Sequence, residues 1–278
     1  MLIFYNLYDI LLYEIGEIIV QRYALKIEYD GTNFCGFQTQ PSKRTIQQEL
    51  EGVLSVITNE KTSIFASGRT DAGVHALAQI VHFDSKSDIE IGKLIYLLNK
   101  NLPSDIMVKD AAKVSKQFDA RKTAKKKSYI YKFYLSRYDR PTLKNKALRV
   151  NDNIDVKKMQ MAVKDFVGTY DFTSFVARKS GKTNFVRTIY SATIKKIEGD
   201  MYQLEICANG FLYNMVRIIL GTLLDIGAGR KNVDSVKEII AGKNRKLAGK
   251  TVAPDGLYLK QVSYPSELLD FEKNKICD

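Results

Sequence analysis

Asp71 is the residue around which chemistry could be built. It sits in Ser67-Gly68-Arg69-Thr70-Asp71-Ala72-Gly73-Val74-His75-Ala76, two residues after Arg69 and between two glycines. Glycine opens backbone conformations closed to other residues, so such a loop can present a short acid rigidly. Asp near Gly is also an ordinary turn former, and the loop alone leaves both readings open. Three acids, Asp30, Asp71 and Asp84, could serve a metal-dependent nuclease, but they share no compact motif. The two histidines, His75 and His82, are poorly spaced for metal ligation across a loop-to-strand junction. Cys35, Cys207 and Cys277 have no paired spacing. An odd, scattered cysteine count argues against a disulfide framework or a zinc site and for a reducing compartment. No metal is expected.

The elements that must position Asp71 alternate in a definite order. Tyr23, Leu25, Ile27 and Tyr29 alternate with Ala24, Lys26 and Glu28, which predicts a strand. Thr45 and Gln48 are spaced as a capping box before a helix carrying Ile46, Leu50, Val53, Leu54 and Ile57 on one face. A strand near Ser63–Ala66 leads into the Asp71 loop, and Gln79–Asp84 is the next strand. Ser87 and Glu90 are spaced as a second capping box, for a helix reaching about Asn99, and Ile106–Ala111 closes the unit. The order is β-α-β-β-α-β, a ferredoxin-like unit.

The second part repeats it. Tyr129, Tyr131, Phe133 and Leu135 mark a strand. A helix is expected over about Asp155–Val167 with Gly168 at its C-cap, then a hairpin of Arg187–Glu198 and Met201–Cys207. A largely apolar helix follows over about Phe211–Ile226, a shorter one over Val233–Ala241, and a last strand over Leu257–Val262. Asn214 and Arg217 interrupt the apolar run, which reads as a buried helix with one functional arginine and not a membrane span. The expected fold class is α+β. Two ferredoxin-like halves, 22–117 and 118–278, would join edge to edge into one mixed, mainly antiparallel sheet with helices packed on it.

The net charge of +12 over 278 residues points to a polyanionic partner: RNA, DNA or an anionic membrane face. Basic residues cluster at Arg121, Lys122, Lys125, Lys126 and Lys127, and again at Lys243, Arg245, Lys246 and Lys250. The bland reading of each run is a solvated surface. Their place beside candidate site segments favours phosphate contact, and the histidines read as structural or RNA-facing. The β-α-β-β-α-β order also suits an RNA-recognition module, but the aromatic-rich signature of that module is absent. Residues 1–21 are mostly apolar, with Asp9, Glu14 and Glu17 among them and no basic leader, so neither a signal peptide nor a membrane span is expected.

Five ordered blocks carry a family resemblance. They are Tyr29-Asp30-Gly31-Thr32 with Gly36-Phe37-Gln38; Ser67 through Ala76; Phe118-Asp119-Ala120-Arg121 followed by Tyr129-Ile130-Tyr131; Asn209 through Arg217; and Ala253-Pro254-Asp255-Gly256-Leu257-Tyr258-Leu259. With these the chain resembles the TruA family of tRNA pseudouridine synthases over roughly residues 22–265. The resemblance implies the pseudouridine synthase fold, an isomerase of tRNA uridine, and targets in the anticodon arm at tRNA positions 38, 39 and 40. It implies a cytoplasmic homodimer with tRNA as partner, no membrane and no cofactor. Family members start close to the first strand, so residues 1–21 read as an extension. A misassigned upstream start codon explains it, or else an extra helix packed on the domain.

The resemblance also assigns roles. Asp71 is the carboxylate that acts on the ribose or on C6 of the base. Arg217 pairs with it, Tyr129 stacks on the target base, Arg69 fills the place of a flipped nucleotide, and Leu257 walls the pocket. Arg121, Lys125, Lys126 and Lys127 are the expected RNA contacts. The reaction breaks the bond between ribose and a uracil nitrogen, turns the base, and rejoins it through carbon. It involves no redox change, and it needs one ionised carboxylate near the sugar or ring. Phe37, Asp119 and Tyr170 stand where the family has Trp, His and His, which bears on substrate preference. A non-catalytic RNA-binding protein or chaperone on the same fold is the alternative.

Overall fold

The computed structural model describes residues 20–177 and 184–271. The expectations placed on residues 1–19 and on Cys277 lie outside the described residues. The first part runs β1 (Gln21–Tyr29), α1 (Ile46–Thr58), β2 (Phe65–Ala66), β3 (His75–Ser85), α2 (Ile91–Asn101) and β4 (Ile106–Val114). The second runs β5 (Lys126–Leu135), β6 (Leu148–Val150), α3 (Val156–Ala162), β7 (Gly168–Asp171), β8 (Val186–Glu198), β9 (Met201–Ala208), α4 (Met215–Gly227), α5 (Ser235–Ala241) and β10 (Leu257–Ser263).

All ten strands belong to one sheet, ordered β4-β1-β3-β10-β5-β9-β8-β7, with β2 on β3 and β6 on β5. Most pairs are antiparallel; β3·β10 and β5·β6 are parallel. Each part therefore has the ferredoxin-like order, β4-β1-β3-β2 and β10-β5-β9-β8. The two meet at a short seam, where Tyr258 and Leu259 of β10 pair with His75 and Ala76 of β3. The seam falls four residues beyond Asp71, so the Asp71 loop lies where the parts join.

Burial follows the alternation. Tyr23, Leu25, Ile27 and Tyr29 turn inward with Ile46, Leu50 and Leu54 of α1 and Leu94 and Leu98 of α2 in one apolar cluster. A second cluster gathers Tyr131 and Phe133 of β5, Leu204 and Ile206 of β9, and nearly all of α4. Val74, from the Asp71 loop, packs in the second cluster, while Leu259 and Val262 of β10 pack in the first. Tyr129 packs against both. The parts thus exchange side chains across the seam.

Several boundaries differ from expectation. Thr45 caps α1 as the spacing predicts, its hydroxyl accepting from the Gln48 N–H at 3.4 Å. The cap of α2 is Glu90 and not Ser87: the Glu90 carboxylate accepts from the N–H groups of Gly92 and Lys93, both at 2.6 Å. Ser87 is drawn off to the Thr58 carbonyl at 3.0 Å, which holds it outside the helix. The helix expected to Val167 is α-helical only to Ala162 and tightens into a 3-10 turn over Val163–Phe166. The helix expected from Phe211 begins at Met215, because Asn214 takes a positive φ of 60° and ends the preceding turn. β6 and β7 were not expected. No helix among the described residues is long and apolar enough to cross a membrane.

Candidate active site

The Asp71 loop is clamped from two sides. From the first part, Phe37 N–H donates to the Thr70 carbonyl at 3.0 Å, and the Tyr29 and Thr70 hydroxyls bond at 2.8 Å. Gly31 permits the close approach: a Cβ there would lie 2.1 Å from the Val74 carbonyl oxygen. From the second part, Pro254 presses on Gly73, which holds φ +77° and would place a Cβ 2.8 Å from the proline ring. L side chains rarely adopt that φ, so glycine is needed on both counts. The Val74 N–H donates back to the Asp71 carbonyl at 3.1 Å and closes the turn.

Arg217 reaches Asp71 from α4. Its Nη1 stands 3.4 Å from Asp71 Oδ2, across 146 residues of sequence. The guanidinium is aimed by two other bonds, Nε to the Val252 carbonyl at 2.7 Å and Nη1 to Asn214 Oδ1 at 2.8 Å. Asn214 stands one turn before Arg217 and, through its left-handed φ, starts the helix that carries it. Burial pushes the Asp71 carboxyl above its ordinary value, and the charge and hydrogen bond of Arg217 pull it back down. The cation therefore favours the ionised acid in a site that otherwise disfavours it.

Tyr129, on β5, meets Phe211 edge to face with ring centres 5.1 Å apart. Its hydroxyl is pushed well above the ordinary tyrosine value, first by burial and then by the facing Tyr29 and Asp71. It stays protonated at neutral pH. Leu257 is buried in the second cluster with Val74. Arg69 is exposed on the loop and makes no ion pair among the described residues. Arg121, Lys125 and Lys126 are exposed, and the Lys126 ammonium lies 5.1 Å from the centre of the Tyr190 ring. Lys127 differs from its neighbours: it is half-buried and donates to the Ser67 carbonyl.

The other candidates are occupied elsewhere. Asp30 bonds Lys146 and lies 3.0 Å from His75, and Asp84 pairs with Arg22 at 2.8 Å. The three acids of the nuclease reading thus have separate cationic partners. No group of three His, Cys, Asp or Glu among the described residues could hold a metal ion. His75 is buried at the seam, with Nδ1 accepting from Gly31 N–H at 3.1 Å and its ring stacked on Tyr258 at 4.5 Å. His82 Nδ1 accepts from Ala120 N–H at 3.1 Å. Both histidines are structural. Asp119 folds back on its own turn, accepting from Arg121 and Lys122 N–H at 2.8 Å. Asn214 and Gln79 were missed as site-supporting residues. Asn214 stands at the N-cap, three residues before Arg217, and that spacing was the available signal.

Comparison with known proteins places the chain in a family. The family model described as tRNA pseudouridine synthase matches residues 26–121 and 162–265. The chain belongs to the tRNA pseudouridine synthase family. Among curated relatives, tRNA pseudouridine synthase A of Limosilactobacillus fermentum is 44% identical over 251 residues, 89% of this chain and 97% of the relative. The protein of that name from Caldicellulosiruptor saccharolyticus is 45% identical over 245 residues, 88% of this chain and 100% of its own length. That of Halalkalibacterium halodurans is 45% identical over 239 residues, covering 86% and 90%.

Proposed function

We propose that this chain converts uridine to pseudouridine in the anticodon arm of tRNA, at positions 38, 39 and 40, with Asp71 as nucleophile or base. The observation that carries the assignment is the Arg217–Asp71 contact of 3.4 Å, made between α4 and a loop of the other part. An acid meant only to shape a turn has no need of a half-buried guanidinium aimed by Val252 and Asn214.

On this reading the work is divided among five residues. Asp71 supplies a charged oxygen to the ribose or to C6 of the base. Arg217 keeps that oxygen ionised against burial. Tyr129 offers a flat face for the uracil and a hydroxyl that holds its proton, so it can serve in a proton transfer near the base. Leu257 closes the wall that retains the detached uracil. Arg69 projects from the same loop and fills the stack vacated by the flipped nucleotide. Substrate and product are isomers, so the atoms balance without a cofactor. The exposed Arg121, Lys125 and Lys126 meet the phosphates. The working state is a cytoplasmic homodimer holding one tRNA across both subunits.

The experiment is a mapping of product. An unmodified tRNA transcript with uridines at positions 38, 39 and 40 is incubated with the pure protein and read by carbodiimide-adduct primer stops. Stops are expected at those positions and nowhere else, and a transcript with cytidines there should give none. Stops elsewhere in the tRNA would remove the positional assignment. A complete absence of stops, with tRNA bound, would favour the binding-only protein.

A further inference from the structure

We propose that Lys127 is a positioning residue for the Asp71 loop, holding the turn that aims Arg69 and Asp71, and is not a phosphate contact like its neighbours. Three observations converge on it. First, the Lys127 ammonium, at the start of β5, crosses to the loop and donates to the Ser67 carbonyl. Second, it lies against the next residue: a methyl group at Gly68 would stand 3.2 Å from Nζ, so the glycine leaves room for the cation. Third, Gln79 of β3 grips the same turn from the other strand. Its Oε1 accepts from the Ser67 hydroxyl at 2.5 Å, and its Nε2 donates to the Gly68 carbonyl at 2.8 Å. The Ser67 N–H is itself tied to the Ile80 carbonyl at 2.8 Å. The two peptides that lead into Arg69 are therefore held by one side chain from β3 and one from β5, with the seam between them.

Lys127 has no carboxylate partner among the described residues, although it is half-buried. Lysines facing solvent or phosphate do not pay such a desolvation penalty for a single carbonyl. The Arg121 guanidinium repels it, and Tyr264, which also reaches Ser67, donates its hydroxyl to the Ala120 carbonyl at 2.5 Å. Asp119, the acid of that segment, accepts from its own turn. Burial first, and Arg121 second, bring the Lys127 ammonium down to about 8. A grip made by this cation weakens as pH rises through that value. Stability moves the other way. The folded-state value lies below the unfolded 10.5, so a rise in pH between about 8 and 10.5 relieves the buried charge and favours the fold. Catalysis and folding should respond to Lys127 deprotonation with opposite signs.

The inference rests on Asp71 as the catalytic acid. Turnover by Asp71→Asn would remove that assignment, whereas Lys127 variants bear on Lys127 alone. The test compares Lys127→Met and Lys127→Arg with the parent protein on unmodified tRNA, by single-turnover rate at saturating enzyme, tRNA Kd, Tm and a rate profile from pH 6 to 10. Displacement of a reacting group by about 1 Å lowers rates by about 100-fold. Lys127→Met is expected to lose about 10- to 100-fold in rate while tRNA Kd stays within about 2-fold, the pattern of an interaction that serves the transition state. Lys127→Arg should recover most of the rate and lose the decline near pH 8, because guanidinium does not deprotonate there. A Lys127→Met enzyme with the parent's saturated rate overturns the proposal, and weakened tRNA binding alongside it would make Lys127 a phosphate contact. If Lys127→Met does not fold, Lys127→Arg decides: a decline near pH 8 unchanged from the parent overturns the proposal.

Discussion

Arg217 carries the energetic argument at the scale of single residues. Arg217→Met keeps the bulk of the stem within the apolar surroundings of α4 and removes the charge. Asp71 then loses what opposes its burial. Its carboxyl becomes harder to ionise, and its aim loosens. Activity is expected to fall by about 100-fold or more, with the acidic limb of the pH–rate profile moving to higher pH. Arg217→Lys should restore part of the rate, since charge returns without the planar fork that bonds Val252 and Asn214 together. Near-normal turnover with an unshifted limb in Arg217→Met would show that the ion pair is incidental. The Asp71 loop stands out in the sequence through its glycines and Arg69, but only the family resemblance separates a catalytic acid from a turn former there. Its partner was legible only through family resemblance, since no local spacing connects positions 71 and 217. Lys127 was hidden in another way. Three consecutive lysines look alike as a charge run, and only the strand pairing decides which one turns inward.

At the scale of elements, the seam governs stability. His75 is held between Gly31 N–H and the carbonyls of Asn145 and Asp255 at 2.8 and 3.2 Å, so it joins the turn after β1, β3 and two second-part loops. Burial lowers both His75 and His82 below the ordinary 6.5. Their unfolded forms take up protons first as pH falls. Stability is therefore fully present above 6.5 and declines below it until the folded values are passed. Tm is expected to drop between pH 7 and pH 5, and the double variant His75→Asn, His82→Asn should melt lower with a flatter slope over that range. An equal drop in the double variant would place the pH dependence on other groups. The long elements here were readable, because β1, α1, β3 and β9 alternate or repeat over many residues. β6 and β7 were not, since three and four residues are too few to show a period. The ends of helices were decided by competition for partners, as when Thr58 claimed Ser87 and left Glu90 as the cap.

At the scale of the whole molecule, charge sets the encounter with RNA. A net charge of +12 implies that binding releases counterions, so tRNA affinity should fall steeply with salt. Each lysine that neutralises a phosphate contributes about 0.7–0.9 to the log–log slope. Lys125→Ala with Lys126→Ala is expected to flatten the slope by roughly twice that amount. Lys127→Arg should leave it unchanged. An unaltered slope in the Lys125, Lys126 double variant would mean that this edge of β5 faces away from the RNA. The joining of two ferredoxin-like parts could be anticipated from element order. That they join through a two-residue parallel pairing at His75 and Ala76 could not, because strand neighbours distant in sequence leave no local trace.

Asp71→Asn tests the catalytic carboxylate most directly. Asn preserves the shape of the loop and can still accept a hydrogen bond from Arg217, but it is neither an effective nucleophile nor a base. Purified Asp71→Asn, incubated with unmodified tRNA and assayed by primer stops, is expected to bind tRNA with near-parent affinity and form no pseudouridine. Substantial pseudouridine formation by that variant would contradict the assignment of Asp71 as the catalytic carboxylate.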